Sequence, residues 1–292
     1  QMSPVLDYGF YAIDDYENIE KRWEKDYGGW VGMPGPYGLN SDGRLLIAAD
    51  MIGIFAPCVV DLWNLDTEEQ TKFYVPYDPS TSGVIFCGDS EIFTDLELAV
   101  VSDSAPKPLG RIVTWDYTEG SPTYEPHQTE EFPTNMDADY ENHRLFVYCR
   151  GDFGGPGPTV QIWDVEEMTL IDSFQTNTGL WPFMSDIDYD PYNQQLCFGA
   201  GDDGLFEVWD SETYTHIQTI DTGYGAVSGM DHMGVGIYVA VPGHLLVYDA
   251  LSLELLHDVS SASDPGQIAC NSSTHKIYVP DGGDSSVWVY GL

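Results

Sequence analysis

The sequence predicts an all-β chain made from one repeated, four-stranded antiparallel unit. Three observations carry this reading. Short runs of β-branched and aromatic residues alternate with clusters of turn residues along the whole chain. An aromatic followed by a small polar residue recurs, as Trp63-Asn64, Trp115-Asp116, Trp163-Asp164, Trp209-Asp210, Tyr248-Asp249 and Tyr290-Gly291. The intervals between these pairs are about 40 to 50 residues, the period of a four-stranded propeller blade. Six such pairs in 292 residues predict a six-bladed β-propeller of four-stranded antiparallel blades.

In chain order, residues 1–36 form a closing segment and 37–292 the blades of a single domain. Phe10 to Asp14 and Ile19 to Trp23 resemble a third and a fourth strand. The Glu- and Lys-rich stretch Asp15 to Lys25 also fits a helix, but strand or irregular structure is preferred. Second strands are expected at Leu45 to Ala49, Leu98 to Ser102, Leu145 to Cys149, Leu196 to Ala200, Ile237 to Val241 and Ile277 to Pro280. Each is followed by an aromatic pair at the end of a third strand. Fourth strands follow at Lys72 to Val75, Thr123 to Pro126, Leu170 to Phe174, His216 to Ile220 and Leu255 to Val259.

The unit from Trp181 to Asp221 is the clearest. Ser185 to Asp188 is its first strand, and its turns are Asp190-Pro191-Tyr192-Asn193, Gly201-Asp202-Asp203-Gly204 and Asp210-Ser211-Glu212-Thr213. The second unit is the least regular, with its first strand at Gly83 to Cys87 or at Glu91 to Thr94. The sixth unit stops after its third strand, so an N-terminal strand is expected to close the last blade and remove its open edge. That leaves one N-terminal strand to extend the blade or to dock on another molecule, self-assembly included.

The charge balance narrows the partners. Ten basic residues stand against 48 acidic ones, a net charge of −38. Nucleic acid is excluded as a partner, because phosphate binding needs Lys and Arg clusters that this chain does not have. Acidic membrane surfaces are disfavoured for the same reason. Small molecules, neutral glycans and basic proteins remain. Such a charge repels itself. It suits a secreted protein in an acidic exterior, or a salt-rich setting such as a halophile cytoplasm, where screening acts over about 10 Å or less.

No apolar run reaches the roughly 20 residues of a membrane span. The chain begins at Gln1 and not Met, as expected for a processed form or a piece of a longer protein. Its five cysteines, Cys58, Cys87, Cys149, Cys197 and Cys270, contain no CxxC, which argues against zinc. Most lie in strand patterns and read as buried thiols. Cys149 and Cys197 fall at equivalent positions, so a disulfide between them is conceivable. Asn271-Ser272-Ser273 fits an N-glycosylation acceptor.

The aromatic–Asp pairs, with hairpins such as Asp188-Tyr189-Asp190-Pro191 ahead of an apolar strand, resemble the superfamily of WD40, NHL and YVTN-type propeller repeats. Asn271 to Tyr278 running into Val279-Pro280-Asp281-Gly282 is most similar to the YVTN type. The resemblance covers about Gly38 to Leu292. It implies a propeller fold and leaves the activity open, since such propellers include scaffolds, lectins, lactonases, lyases and dehydrogenase subunits. The Gly-His dipeptide of WD40 repeats is missing.

Candidate residues divide by position. The aromatic–Asp pairs serve packing and turn capping first. The hairpin residues Asn40, Asp139, Asp188, Asp231 and Asn271 read as turn acceptors before channel groups. Loops after the second strands should converge on one face. There Asp202, Asp203, Asp281 and Asp284 could surround a hard cation such as Ca²⁺, which takes about 6 to 8 oxygens; an Asp-rich chain also places such residues in turns for structure alone. Trp30, Asp152, Trp181, Phe183 and Tyr224 make a candidate ligand platform on that face, against the alternative of packing between blades. Arg150, His244 and His232 are the candidate catalytic groups, with a nearby Asp as acid–base partner.

Two functions follow. The leading one is a secreted or salt-adapted, non-catalytic ligand-binding or assembly module. The alternative is a lactonase, lyase or hydrolase with an axial active site that uses a metal or none. Whether the chain is an enzyme at all is not decided by its sequence.

Overall fold

The structure, a computed structural model, describes residues 7–15, 18–26, 38–41, 45–51, 58–64, 67, 69–75, 86–104, 110–118, 125–151, 157–177, 186–200, 203–283 and 286–291. Side-chain surroundings are described for a few positions between 60 and 71 and for most from 88 onward within those stretches. The chain divides into two compact units. Unit 1 is Gln1–Ala105 with Arg111–Pro126, and unit 2 is Pro106–Gly110 with His127–Leu292.

Unit 1 holds a hairpin of β1 (Asp7–Asp15) and β2 (Asn18–Asp26), then the sheet β3 (Gly38–Ser41), β4 (Leu45–Met51), β5 (Cys58–Asn64) and β6 (Gln70–Val75). The next sheet is β7 (Phe86–Phe93), β8 (Leu98–Ser104), β9 (Arg111–Asp116) and β10 (Glu125–Gln128), the last of which runs past the end of unit 1 at Pro126. The Asp15 to Lys25 stretch is mostly strand β2, not helix. The irregular second unit resolves into one long strand, β7, which spans parts of both expected segments and slips register between Cys87 and Ser90.

Unit 2 holds three four-stranded sheets. They are β11 (Pro133–Asp139) to β14 (Thr169–Gln175) with β12 (Arg144–Cys149) and β13 (Thr159–Asp164) between; β15 (Ile187–Asp190), β16 (Gln195–Ala200), β17 (Leu205–Asp210) and β18 (His216–Asp221); and β19 (Gly229–Met233), β20 (Gly236–Val241), β21 (His244–Asp249) and β22 (Leu255–Ser260). A last sheet of β23 (Ala269–Asn271), β24 (Lys276–Asp281) and β25 (Ser286–Gly291) has three strands among the described residues. The repeat of four-stranded antiparallel sheets is therefore present. Among the described residues β1 pairs with β2 alone, and no fourth strand pairs with β25.

The recurring aromatic–Asp pair explains the third strands. Trp115, Trp163, Trp209 and Tyr248 are all buried. The following Asp turns outward and caps the next turn: Asp210 Oδ1 accepts the amides of Glu212 and Thr213, and Asp249 Oδ1 those of Leu251 and Ser252. Asp164 does the same for Glu167, and Asp116 for Thr118.

Apolar residues of neighbouring sheets in unit 2 face each other. Phe146, Tyr148, Val160 and Ile162 pack with Ile187, Tyr189, Leu196, Phe198 and Trp209 of the next sheet. Cys197, Phe206 and Val208 then pack with Met230, Ile237, Val239 and Leu246. Met233, Tyr238, Ala240 and Leu245 continue the series with Ile268, Ile277 and Val279. Each large apolar side chain buried this way contributes about 1.5 to 3 kcal/mol. Burial falls off across the four-stranded sheets: β13 and β17 are mostly buried, while β14 and β22 are mostly exposed. Cys149, Cys197 and Cys270 are free thiols, so the Cys149–Cys197 disulfide does not form.

Candidate functional site

The first strands of unit 2 carry a layer of acidic side chains. Asp137, Asp188 and Asp231 hold equivalent places in β11, β15 and β19, opposite Phe146, Cys197 and Tyr238. Buried Glu91, opposite Val100, stands at that register position in its own sheet in unit 1. This corrects the expected alignment. Asp188 and Asp231 are not turn acceptors. The hairpin turns are held two residues further along, by Asp139 on the amide of Asn142 and by Asp190 on the amides of Tyr192 and Asn193. The first strand of the second sheet of unit 2 accordingly begins at Ile187 and ends at Asp190. Asn271 behaves as expected, accepting from the amides of Ser273 and Thr274; Asn40 has no described side chain.

These acids reach from one sheet to the next. Asp137 accepts the amide of Ala138 on its own strand and that of Tyr189 on β15. Asp186 accepts Ile187 and, at 2.9 Å, Met230 on β19, with Gln267 Nε2 donating to it as well. Asp231 accepts His232 and, at 2.5 Å, Cys270 on β23. Asp188 instead meets a side chain: His232 Nδ1 lies 3.0 and 2.9 Å from its two oxygens. His232 Nε2 is 3.9 Å from Asp190.

Burial and crowding move the acidities of this layer. Burial raises Asp231 to about 8, helped by the negative charge of Asp188 and opposed by the Cys270 amide. Asp186 rises to about 7, again through burial first. Asp137 goes well above the usual carboxylate range, from burial and then the charge of Asp188. Burial pulls His232 down, but its hydrogen bond to Asp188 and the charges of Asp188, Asp190 and Asp231 lift it to about 9. Donor atoms of Asp188, Asp231 and His232 lie within 4.8 Å of one another. Asp188 engages His232 Nδ1 and the two oxygens of Asp231 engage backbone amides, so the cluster reads as a clamp between strands.

A second histidine–aspartate pair lies near the surface. His244 opens β21, and its Nδ1 is 2.7 Å from Asp258 Oδ1 on β22. The Tyr224 hydroxyl donates to the other oxygen of Asp258 at 2.6 Å, and the Tyr224 ring lies 4.2 Å from the imidazole. Asp258 is held below the usual carboxylate range by the Tyr224 and His244 hydrogen bonds. A carboxylate accepts only, so His244 donates to it through Nδ1.

Glycine sets this geometry. Gly204, at φ +66°, has its α-carbon against the Tyr224 carbonyl, where a Cβ would fall 1.8 Å from the oxygen. Thr222 locks the same approach by donating its amide and hydroxyl to the Gly204 carbonyl.

Of the residues singled out in the sequence, His244 and Tyr224 come together in unit 2, and His232 joins Asp188 and Asp231. Arg150 lies over the Phe132 ring, 4.6 Å from its centroid. Asp203 is exposed. Asp281 accepts the amide of Gly283 in its own turn and those of Ser263 and Asp264 on an earlier loop, so its carboxylate bridges the two segments. Trp30, Asp152, Trp181, Phe183, Asp202 and Asp284 lie outside the described residues. Sequence reasoning missed Asp258, which no motif marks. The β21–β22 register places it diagonally across from His244.

Among solved structures, the chain is similar to one from a crystal structure of the mitotic checkpoint complex, a WD40 propeller. The TM-score is 0.70 and the identity 14%, over 90% of this chain and 76% of that one. It is also similar to a functionally unknown protein from Desulfotomaculum acetoxidans DSM 771, with TM-score 0.63 and 15% identity over 80% and 72% of the two chains. These likenesses support a propeller-like fold and leave function open. No family model matches the chain, and no curated protein does.

Proposed function

We propose that the chain is a non-catalytic, acidic binding or assembly module of the propeller type. On this reading it has six blades and is nearest to the YVTN repeats. The observation that carries the proposal is the last sheet. In β13 and β17 the third-strand residues Val160, Ile162, Phe206 and Val208 are fully buried. In β25, Val287 is 50% and Trp288 41% exposed. Uncovered apolar residues on a chain of charge −38 suit a basic protein segment, and one structural neighbour comes from a protein complex. The charge also supports a secreted or salt-adapted setting. In that setting the thermal midpoint should rise on adding NaCl, and a flat response to molar salt would remove the argument.

The test of binding uses two synthetic peptides of alternating valine with lysine or with glutamate. Calorimetry should detect the lysine peptide at low salt, weaken at 0.5 M NaCl, and show loss in the Val287→Asp, Trp288→Asp double variant. No heat from either peptide refutes the module reading.

A second reading rests on His244. An imidazole oriented by Asp258 and one-third exposed can act as a general base for lactone or ester opening. Hydrolysis of a chromogenic ester should then be detectable and disappear in His244→Asn. Activity that survives that substitution excludes this site.

A further inference from the structure

We propose that the carboxyl layer joining the first strands of unit 2 is an acid-favoured lock: with its protons on it holds the four sheets together, and as protons leave, the sheets loosen. The geometry is a chain of side-chain bridges. Asp137 ties β11 to β15, Asp188 with His232 and Asp186 with the Met230 amide tie β15 to β19, and Asp231 ties β19 to β23. Every sheet of unit 2 is engaged through its first strand. Asp186 and Asp188 are buried, and Asp137 and Asp231 are half-buried. Asp137, Asp186 and Asp231 each accept the amide of the following residue on Oδ1 and the cross-strand amide on Oδ2. Protonation at Oδ1 gives up the local amide, keeps Oδ2 for the cross-strand one, and gains an O–H to give to a neighbouring carboxylate. An ionised one in this crowd meets like charges that it has little water to screen.

The groups facing His232 are Asp188 and Asp190 from β15, Asp231 from its own strand, and the Cys270 thiol near Asp231 on β23. Asp137 and the Cys197 thiol complete the surroundings of Asp188 and Asp231. Apart from His232 these are acids or thiols, so nothing in the layer replaces its positive charge once it is lost.

The signs all agree. His232 rises in the fold to about 9, so its contribution is complete below its ordinary value of about 6.5 and is lost as pH climbs through 9. Asp231 at about 8 and Asp186 at about 7 bind protons more tightly folded than unfolded. Their ionisation penalises the fold progressively from about pH 4 up to those values. Asp137 moves in the same direction. Opposing groups act lower down. Asp210 and Asp249 are held below the usual range by turn hydrogen bonds and Asp281 first by the Ser263 amide, and their contribution is lost only in stronger acid. Stability should therefore peak on the acid side and decline through neutrality.

The experiment is thermal unfolding of the full chain in 1 M NaCl, where surface repulsion is screened to about 3 Å. The midpoint should fall by roughly 5 °C or more from pH 5 to pH 8. In Asp231→Asn the fall should be smaller. Should that variant not fold, hydrogen exchange on the unaltered protein decides the matter. Protection at the Tyr189, Met230 and Cys270 amides should drop with pH ahead of Val208, which lies within a sheet. A midpoint that is flat or rises from pH 5 to 8 in molar salt overturns the lock, as does uniform protection at those amides.

Discussion

One sheet carries two histidines, on β19 and β21, that make the same first contact with an aspartate, and the two pairs do opposite things. His232 and His244 each place Nδ1 within 3 Å of an aspartate oxygen. His232 sits among acids that bridge four sheets, and those acids raise its affinity for a proton. His244 lies about one-third exposed, and a tyrosine shares its aspartate. The difference shows that a pair takes its role from what surrounds it. Buried, the pair is structural and electrostatically expensive to break. Near the surface, it contributes little to stability.

The contrast can be broken most strongly at His232. His232→Leu leaves Asp188 without its cation among other carboxylates and should cost about 3 to 5 kcal/mol at pH 6, read from urea unfolding. The gap to the unaltered protein should narrow as pH rises through about 9, where the native histidine also loses its charge. An undiminished gap at pH 10 would mean that shape, not charge, matters there.

Gly204→Ala comes next. It forces a side chain into a left-handed backbone position and against the Tyr224 carbonyl, for about 1 to 3 kcal/mol. It should also change Tyr224 fluorescence or its NMR shifts, because the turn that seats the ring must move.

His244→Ala should shift the thermal midpoint by at most about 4 °C. A shift as large as that of His232→Leu would abolish the distinction between the pairs. Tyr224→Phe should be smaller still, about 2 °C or less. Its signature is spectroscopic: the Asp258 carboxyl, relieved of one donor, should titrate at higher pH by carbon-13 NMR, while the Asp188 resonance stays where it was.

Much of the fold was legible because its signals are local. Trp163-Asp164 and Trp209-Asp210 announce a buried ring and a turn cap within two residues, and the cap contacts lie two or three positions away. The candidate site was legible only in parts. His244 and Tyr224 could be placed on loops of one face by the repeat, and they do meet. Asp258 was hidden, because it lies 14 residues from His244 on an outer strand with no motif. Asp188 was misread as a turn residue because Asp190, two positions on, has the same chemistry and the same face of the strand.

The sequence alone determined the all-β class, the recurring four-stranded sheet, the turn caps and the acidic charge of −38, since each follows from alternation, spacing or composition. Only tertiary structure decided which acids serve turns and which cross between sheets. A carboxylate's role depends on the amide or imidazole that another strand brings to it, as Asp186 meets Met230 and Asp188 meets His232 across 44 residues of chain. No pattern within either strand specifies that meeting.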